Sequence, residues 1–117
     1  SGKSKEASKL FTMILPYSFY VLLSEVDYLL YIGFTSNLEN RLKTHNLGGS
    51  KSTFYRRPLK LIFCEYYLFK EDALRREEYF KTTAGKRTLN LMLSSTLTSL
   101  EYKKGKKSPE IISLSEL

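Results

Sequence analysis

The stretch from residue 18 to residue 33, SFYVLLSEVDYLLYIG, constrains the fold more than any other part of the chain. Two apolar runs rich in aromatic residues flank the polar residues 24–27, a pattern typical of a β-hairpin. Because alternate residues of a strand share a face, Tyr20 and Tyr31 reach the same face only if the connecting loop is even in length. A loop of about two or four residues meets this condition. The opposite, core-facing side then carries Phe19, Val21, Leu23, Tyr28, Leu30, Ile32 and Phe34.

The composition favours one basic domain. The chain has 117 residues, 42% of them hydrophobic, which is enough to build a core of its own. A formal net charge of +7 favours a polyanionic partner, either nucleic acid or an acidic membrane surface. No signal peptide and no apolar run of membrane-spanning length are recognisable, so we expect a cytoplasmic protein without a membrane anchor. The single Cys64 excludes an internal disulfide and is expected to be a buried, reduced thiol.

A first helix is expected directly after the hairpin. Ser36 and Glu39 have the spacing of a capping box, which predicts a helix with Ser36 as N-cap that runs to about Asn46 and stops at a Gly-Gly pair. Arg41 and His45 lie one turn apart and extend the apolar stripe of this helix. A cation and an imidazole at the edge of a buried face point to a functional role.

A basic loop and a third strand follow this helix. Residues 47–60, LGGSKSTFYRRPLK, combine cations with aromatic residues. The cations Lys51, Arg56, Arg57 and Lys60 are candidates for contacts with DNA phosphates, and a solvated charged face is the alternative. The apolar run over residues 59–69 predicts a third strand that is central or well covered in the sheet.

A second helix is predicted over residues 71–84, where Ala73, Leu74, Phe80 and Ala84 set an apolar stripe. At about 100° per residue, Glu77 falls near the middle of the stripe and Glu78 at its outer edge. A buried carboxylate is costly unless it is paired or bound to a metal. Gly85 should separate this helix from a short one over residues 86–93 that contains Asn90, and residues 94–117 should form a weakly ordered basic tail.

The order of these residues resembles the motifs of the GIY-YIG nuclease domain. The resemblance covers residues 17–93 and is closest to the small single-domain bacterial members, which are similar to the N-terminal incision domain of the excision-repair nuclease UvrC. It implies an α+β fold with a small three-stranded antiparallel sheet flanked by helices. It also implies hydrolysis of DNA phosphodiesters with one Mg²⁺ or Mn²⁺ ion. Residues 1–16 would then be a basic lead-in with an apolar arm, followed by the nuclease domain and the tail from residue 94.

The resemblance also assigns roles to single residues. By position, Tyr20 matches a candidate general base, and Tyr31 matches a group that orients the water and the phosphate. Arg41 matches the ligand of the scissile phosphate, and His45 matches a group on the nucleophile side. Glu77 matches the only protein ligand of the metal, and Asn90 matches a downstream asparagine of some members. A free tyrosine has a pKa of about 10, too high for an efficient base at neutral pH. The metal, Arg41 and a protonated His45 would each favour the phenolate, and His45 is the alternative base.

The chain departs from the family pattern in two places, and other interpretations stay open. Its first motif reads Ser18-Phe19-Tyr20 instead of Gly-Ile-Tyr, and Phe34 stands where some relatives carry a basic residue. An internal ion pair between Arg41 and Glu77 is the structural alternative to a metal site. The function implied is a structure- or damage-directed endonuclease of DNA repair or recombination, associated with the nucleoid. The alternatives are a non-catalytic nucleic-acid-binding module and a subunit of a larger repair complex, with a protein partner bound through the apolar arm.

Overall fold

The hairpin forms the centre of a four-stranded sheet. The computed structural model describes residues 14–100 and 110–116. The strands are β1 (Tyr17–Ser24), β2 (Leu30–Thr35), β3 (Leu59–Tyr67) and β4 (Ile111–Ser113). Their order is β3-β1-β2-β4, and every pair is antiparallel except β2 with β4. The predicted α+β class is confirmed, but the sheet has a fourth strand in addition to the predicted three.

The register of the hairpin puts both tyrosines on one face, as the even loop requires. Tyr20 pairs with Gly33, and Leu22 pairs with Tyr31. The last paired residues are Leu23 and Leu30, so residues 24–29 connect them. Within this loop the N–H of Tyr28 donates to the carbonyl of Ser24 at 2.9 Å. The prediction of a shared face is confirmed.

Each face of the sheet carries its own hydrophobic cluster. The first contains five of the seven predicted core residues of the hairpin, packed against three helices and β4: Phe19, Val21, Leu23, Leu30 and Ile32 with Phe80, Leu89, Leu93, Leu97 and Ile111. Of the other two, Tyr28 is partly buried against this cluster, and Phe34 is partly buried and belongs to neither cluster. The second surrounds the two tyrosines and consists of Tyr20, Leu22, Tyr31, Leu38 and Leu59. The tyrosines therefore lie in a buried layer, where any polar atom needs a partner.

The position of β3 differs from the prediction. This strand pairs only with β1 and lies at an edge of the described sheet, whereas β1 is central. Most of its residues are partly buried, and Cys64 is a free thiol that is only partly buried. A long apolar run indicates a strand but does not distinguish an edge strand from a central one, because that depends on pairing with distant segments.

The first helix, α1 (Leu38–Asn46), begins one residue later than predicted. Asn37 is the N-cap and its side chain accepts from the N–H of Asn40 at 3.1 Å, so the assignment of Ser36 was wrong. Asn and Ser are about equally good N-caps, so sequence preference did not separate them. The predicted end is confirmed: Gly48 has φ of 82° and its N–H bonds the carbonyl of His45, and the N–H of Gly49 bonds that of Thr44.

The second helical region breaks at Thr82 and not at Gly85. The helices are α2 (Lys70–Lys81), α3 (Thr83–Met92) and α4 (Ser94–Leu100). The Thr82 side chain caps α3 by accepting from the N–H of Gly85 at 2.9 Å, so Gly85 lies inside a helix. A Cβ atom at Gly85 would lie 1.9 Å from the carbonyl oxygen of Tyr79, which is why this tight helix junction needs glycine. Ala84 is exposed and does not join the stripe.

Two elements, α4 and β4, form where a weakly ordered tail was expected, and a 3₁₀ helix (Leu114–Glu116) follows β4. Leu97 and Ile111 are buried in the first cluster, so apolar contacts with the sheet stabilise both. Residues 1–13 and 101–109 lie outside the described residues, and with them most of the apolar arm and the lysines of the tail. No helix within residues 14–100 and 110–116 is long and apolar enough to cross a membrane.

Gly85→Ala should destabilise the protein. Its Cβ would collide with backbone atoms that cannot rotate away, so we expect the free energy of unfolding to fall by at least about 2 kcal/mol. Urea denaturation measures this, and Ala84→Ser in the same turn is the exposed control, with an effect below about 0.5 kcal/mol. Equal stability of the two variants would contradict the close helix junction.

Candidate active site

A cavity of about 210 Å³ brings together three of the five predicted catalytic residues. Tyr20 comes from β1, Arg41 from α1 and Glu77 from α2. The remaining lining residues are Gly33, Phe34, Leu74, Leu114 and Ser115. Residues far apart in sequence therefore converge on one small space that combines a phenol, a guanidinium and a carboxylate.

Gly33 allows the Tyr20 ring to lie across β2. A Cβ atom at position 33 would be 2.6 Å from the Tyr20 hydroxyl oxygen, closer than real contacts allow. The ring of Tyr20 is buried, with 1% of the residue exposed, and its hydroxyl lies at the cavity. The position of the Tyr20 ring thus explains why residue 33, directly after Tyr31-Ile32, is a glycine.

The Tyr20 hydroxyl has two polar neighbours. His45 Nε2 lies 3.3 Å away, and Arg41 Nε donates to the hydroxyl at 3.4 Å. Burial raises the pKa of Tyr20, the bond and the charge of Arg41 partly offset this, and the Glu77 carboxylate raises it further. The group is therefore a neutral phenol at pH 7 in this arrangement.

His45 lies behind Tyr20 and is fully buried. Its Nδ1 atom is 2.8 Å from Thr53 Oγ1, and its Nε2 atom faces the Tyr20 hydroxyl. Burial, helped by the charge of Arg41, lowers the pKa of His45 to about 4. The imidazole is neutral at pH 7, so the expectation of a protonated His45 that favours the phenolate was wrong. A buried cation beside Arg41 would be too costly.

Tyr31 shares the face of Tyr20, but its hydroxyl belongs to another network. It donates to Asp27 Oδ2 at 2.6 Å and accepts from Arg56 Nε. Burial raises the pKa of Tyr31 to about 12, and the Asp27 carboxylate adds to this effect. Tyr31 is not among the residues that line the cavity with Tyr20. This hydroxyl ties the hairpin loop to the basic loop.

The four cations of the basic loop differ in their surroundings. Arg56 forms an ion pair with Asp27 at 3.4 Å and donates to the carbonyl of Ser52 at 3.1 Å, so its guanidinium is held by the fold. Arg57 covers the ring of Phe54, with 4.2 Å between its Cζ and the ring centroid. Of this set, Lys51 and Lys60 are exposed to solvent and Arg57 is partly exposed.

The structure does not bring Asn90 to the Tyr20 cavity. Asn90 lines a separate cavity of about 430 Å³ with Arg87 and Ser94 among its neighbours. Its Nδ2 donates to the carbonyl of Lys86 at 3.0 Å, and its Oδ1 is a buried atom with no hydrogen-bond partner among the described residues.

Glu77 is the residue that could hold a metal. It is 6% exposed and lines the cavity, whereas Glu78 is exposed and bonds Lys81, which confirms their predicted orientations. No cluster of three or more His, Cys, Asp or Glu side chains suited to a metal occurs in the described part of the chain. Mg²⁺ often takes one or two carboxylates and completes its shell with water and phosphate. A single carboxylate that lines a cavity fits that mode of binding, whereas an all-protein cage would need more ligands than the described residues bring together here.

Several residues of the site had no signal in the sequence. Thr53 and Asp27, the partners of His45 and Tyr31, are polar loop residues whose contacts depend on the fold. Leu114 and Ser115 reach the cavity only because β4 pairs with β2. Only an explicit search for a hydrogen-bond partner of the buried His45 would have drawn attention to Thr53.

Comparison with known proteins identifies the family of the chain. The model of the GIY-YIG catalytic domain matches residues 16–90. The chain therefore belongs to the GIY-YIG family, whose domains are nucleases, and the resemblance seen in the motifs is confirmed. Such a domain implies nuclease activity and suggests DNA as the substrate.

Within this family the chain is similar to the small UPF0213 proteins. It is 52% identical to the one of Lactiplantibacillus plantarum over 73 residues, which are 60% of this chain and 71% of the relative. It is 40% identical over 79 residues to one of Clostridium perfringens, covering 67% of this chain and 85% of the relative. A Bacillus licheniformis member is 40% identical over 89 residues, 75% of this chain and 91% of the relative. No solved structure matches the chain.

The neutral state of His45 predicts a pH dependence of stability. Its pKa falls from 6.5 to about 4 on folding, and its ring faces Tyr20, Thr53 and the charge of Arg41. The unfolded state binds a proton first as the pH falls, so this stabilisation is present above about pH 6.5 and is lost towards pH 4. We expect a loss of about 2 kcal/mol between about pH 7 and pH 5. Denaturation of wild type and His45→Gln measures it, and the same slope in both would contradict it.

Tyr31→Phe should cost stability. The change removes a buried hydroxyl that bonds Asp27 and Arg56, so we expect a loss of about 1–2 kcal/mol in unfolding free energy. Tyr55→Phe, at a residue that is 82% exposed, is the control. An unchanged unfolding free energy for Tyr31→Phe would contradict the structural role of this hydroxyl.

Proposed function

We propose that this protein is a Mg²⁺- or Mn²⁺-dependent DNA endonuclease that acts in DNA repair or recombination. The convergence of Tyr20, Arg41 and Glu77 on one cavity carries the proposal. A phosphodiester is negatively charged, and its hydrolysis needs positive charge near the phosphate and a group that takes a proton from water. The basic chain, with a net charge of +7, supports a polyanionic substrate.

Arg41, and a metal ion held by Glu77, would together stabilise the negative charge of the phosphate in the transition state. The Arg41 guanidinium binds the scissile phosphate, for which its planar donors are well suited. Glu77 would hold the metal ion through its carboxylate. The bound ion would supply Lewis-acid stabilisation of the phosphoryl oxygens.

Tyr20 is the proposed general base because its hydroxyl lies at the cavity. His45 is fully buried behind it, so a water molecule in the cavity contacts the phenol and not the imidazole. In the tautomer that carries its proton on Nε2, the neutral imidazole donates to the Tyr20 oxygen, and Nδ1 accepts from the Thr53 hydroxyl. A metal ion held by Glu77 would add to the charge of Arg41 and favour the Tyr20 phenolate, which then takes the proton of the attacking water. His45 is thus a positioning residue in this scheme.

DNA shape or damage, and not a long base sequence, is the proposed determinant of recognition. The exposed cations of the basic loop are Lys51 and Lys60, and Arg57 is partly exposed; such groups contact phosphates without reading bases. A substrate chosen in this way would be a branch, a flap or a damaged site.

Glu77→Gln should abolish cleavage. Branched, flapped and linear DNA are incubated with the protein in Mg²⁺ or Mn²⁺, and initial rates are read from gels. Losing the metal ligand should lower the rate by at least about a hundredfold. Glu78→Gln is the matched control, since this neighbouring carboxylate is exposed and its variant should cut like wild type.

Two outcomes would contradict separate parts of the proposal. If the wild-type protein binds these DNAs and cuts none of them, the proposed enzymatic activity is disproved, and a non-catalytic binding module is favoured. If Glu77→Gln cuts as fast as Glu78→Gln, the assignment of Glu77 as the metal ligand is wrong, although the proposed nuclease activity is retained. Tyr20→Phe tests the base in the same assay, and wild-type rates in that variant would exclude it.

A further inference from the structure

An exposed aromatic surface lies on the loop next to the site, and no role described so far explains it. Leu47 and Tyr55 are each 82% exposed, and Phe54 is 40% exposed. All three belong to residues 47–60, which carry four cations and no acidic residue. Large exposed apolar groups that are clustered and surrounded by like charge indicate a binding surface.

The aromatic pair is held in a fixed arrangement. Tyr55 packs edge-to-face on Phe54, with ring centroids 4.9 Å apart and an angle of 76° between the rings. The Arg57 Cζ atom lies 4.2 Å from the centroid of the Phe54 ring, and Arg57 Nε donates to the carbonyl of Phe54 at 2.8 Å. These contacts hold the Tyr55 ring in an exposed position before any ligand binds. Such preorganisation lowers the entropy cost of binding.

The same loop is tied to the candidate active site. Thr53 is fully buried and bonds His45, which in turn bonds the Tyr20 hydroxyl. Tyr55 lies only two residues beyond Thr53, a distance that the backbone spans in at most about 7 Å. Tyr55 is thus connected to the Tyr20 hydroxyl by two backbone steps and two side-chain hydrogen bonds, so a DNA strand of a few nucleotides can reach from this loop to the cavity.

We propose that Tyr55 stacks on an unpaired nucleobase, so that the site selects DNA with single-stranded character next to the bond that is cut. Base–aromatic stacking is tolerant of sequence and needs an open base face. Bases inside a continuous duplex cover each other's faces, so the ring has no access to them. Arg57 and the lysines of the loop supply the phosphate attraction. This inference rests on the proposed function, because it names the DNA that the same site accepts.

Equilibrium binding tests this inference without cleavage. A fluorescein-labelled single strand and the matching duplex are titrated with protein in EDTA at fixed salt, and fluorescence anisotropy gives the Kd. We expect Tyr55→Ala to weaken single-strand binding at least about fivefold, since stacking contributes about 1–3 kcal/mol per base. Its duplex Kd should change less than about twofold, because phosphate contacts remain. Tyr55→Phe keeps the ring and should bind the single strand like wild type.

Tyr79→Ala is the matched control, because it removes a partly exposed tyrosine near Arg76 on α2. This variant should leave the difference between single strand and duplex unchanged. Unfolding temperatures of all variants show that each is folded.

The inference is overturned if Tyr55→Ala binds the single strand like wild type, or if it weakens single strand and duplex equally. The first result assigns the aromatic surface to another partner, such as a protein, and the second indicates a general loss of loop structure. If the wild-type protein never cuts DNA but Tyr55→Ala selectively weakens single-strand binding, only the proposed nuclease activity is refuted. A protein that cuts but shows no such effect refutes only the stacking.

Discussion

A buried chain of hydrogen bonds from Tyr20 through His45 to Thr53 holds the candidate site together. It joins the central strand, the first helix and the basic loop at three fully or almost fully buried side chains. Each of these polar groups would cost about 1–3 kcal/mol if it were left without a partner, so the three elements are fixed relative to each other. The burial of this chain raises the pKa of the phenol and lowers that of the imidazole, and the bond to Thr53 anchors the start of the aromatic loop.

Two tyrosines with the same orientation on the sheet have separate chemical surroundings. Tyr20 passes over Gly33 and ends at the cavity with Arg41, while the Tyr31 hydroxyl ends between Asp27 and Arg56. A phenol between a carboxylate and a guanidinium that already form an ion pair has its bonding capacity filled. Tyr31 thus connects the two loops through its hydrogen bonds, whereas the Tyr20 hydroxyl is available to a reactant in the cavity.

The features that the sequence predicted well have local causes. The face of the hairpin follows from a period of two, the inward Glu77 from a period of 3.6, and the end of the first helix from glycine in the left-handed region. The errors have non-local causes. Gly85 looked like a helix break because the approach of Tyr79 could not be seen, and the third strand looked central because its partner count depends on chain segments far away.

The sequence by itself determined the family, the α+β class and the identity of the chemical groups, because motif order and periodicity are local properties of the chain. It indicated that a phenol, a guanidinium and an inward carboxylate occur at Tyr20, Arg41 and Glu77. Only the tertiary structure decided which tyrosine faces the cavity, that His45 is neutral, and that Arg56 is held by Asp27 while Lys51 and Lys60 are exposed. Desolvation and hydrogen bonding set these properties, and both depend on which distant segments pack around a group.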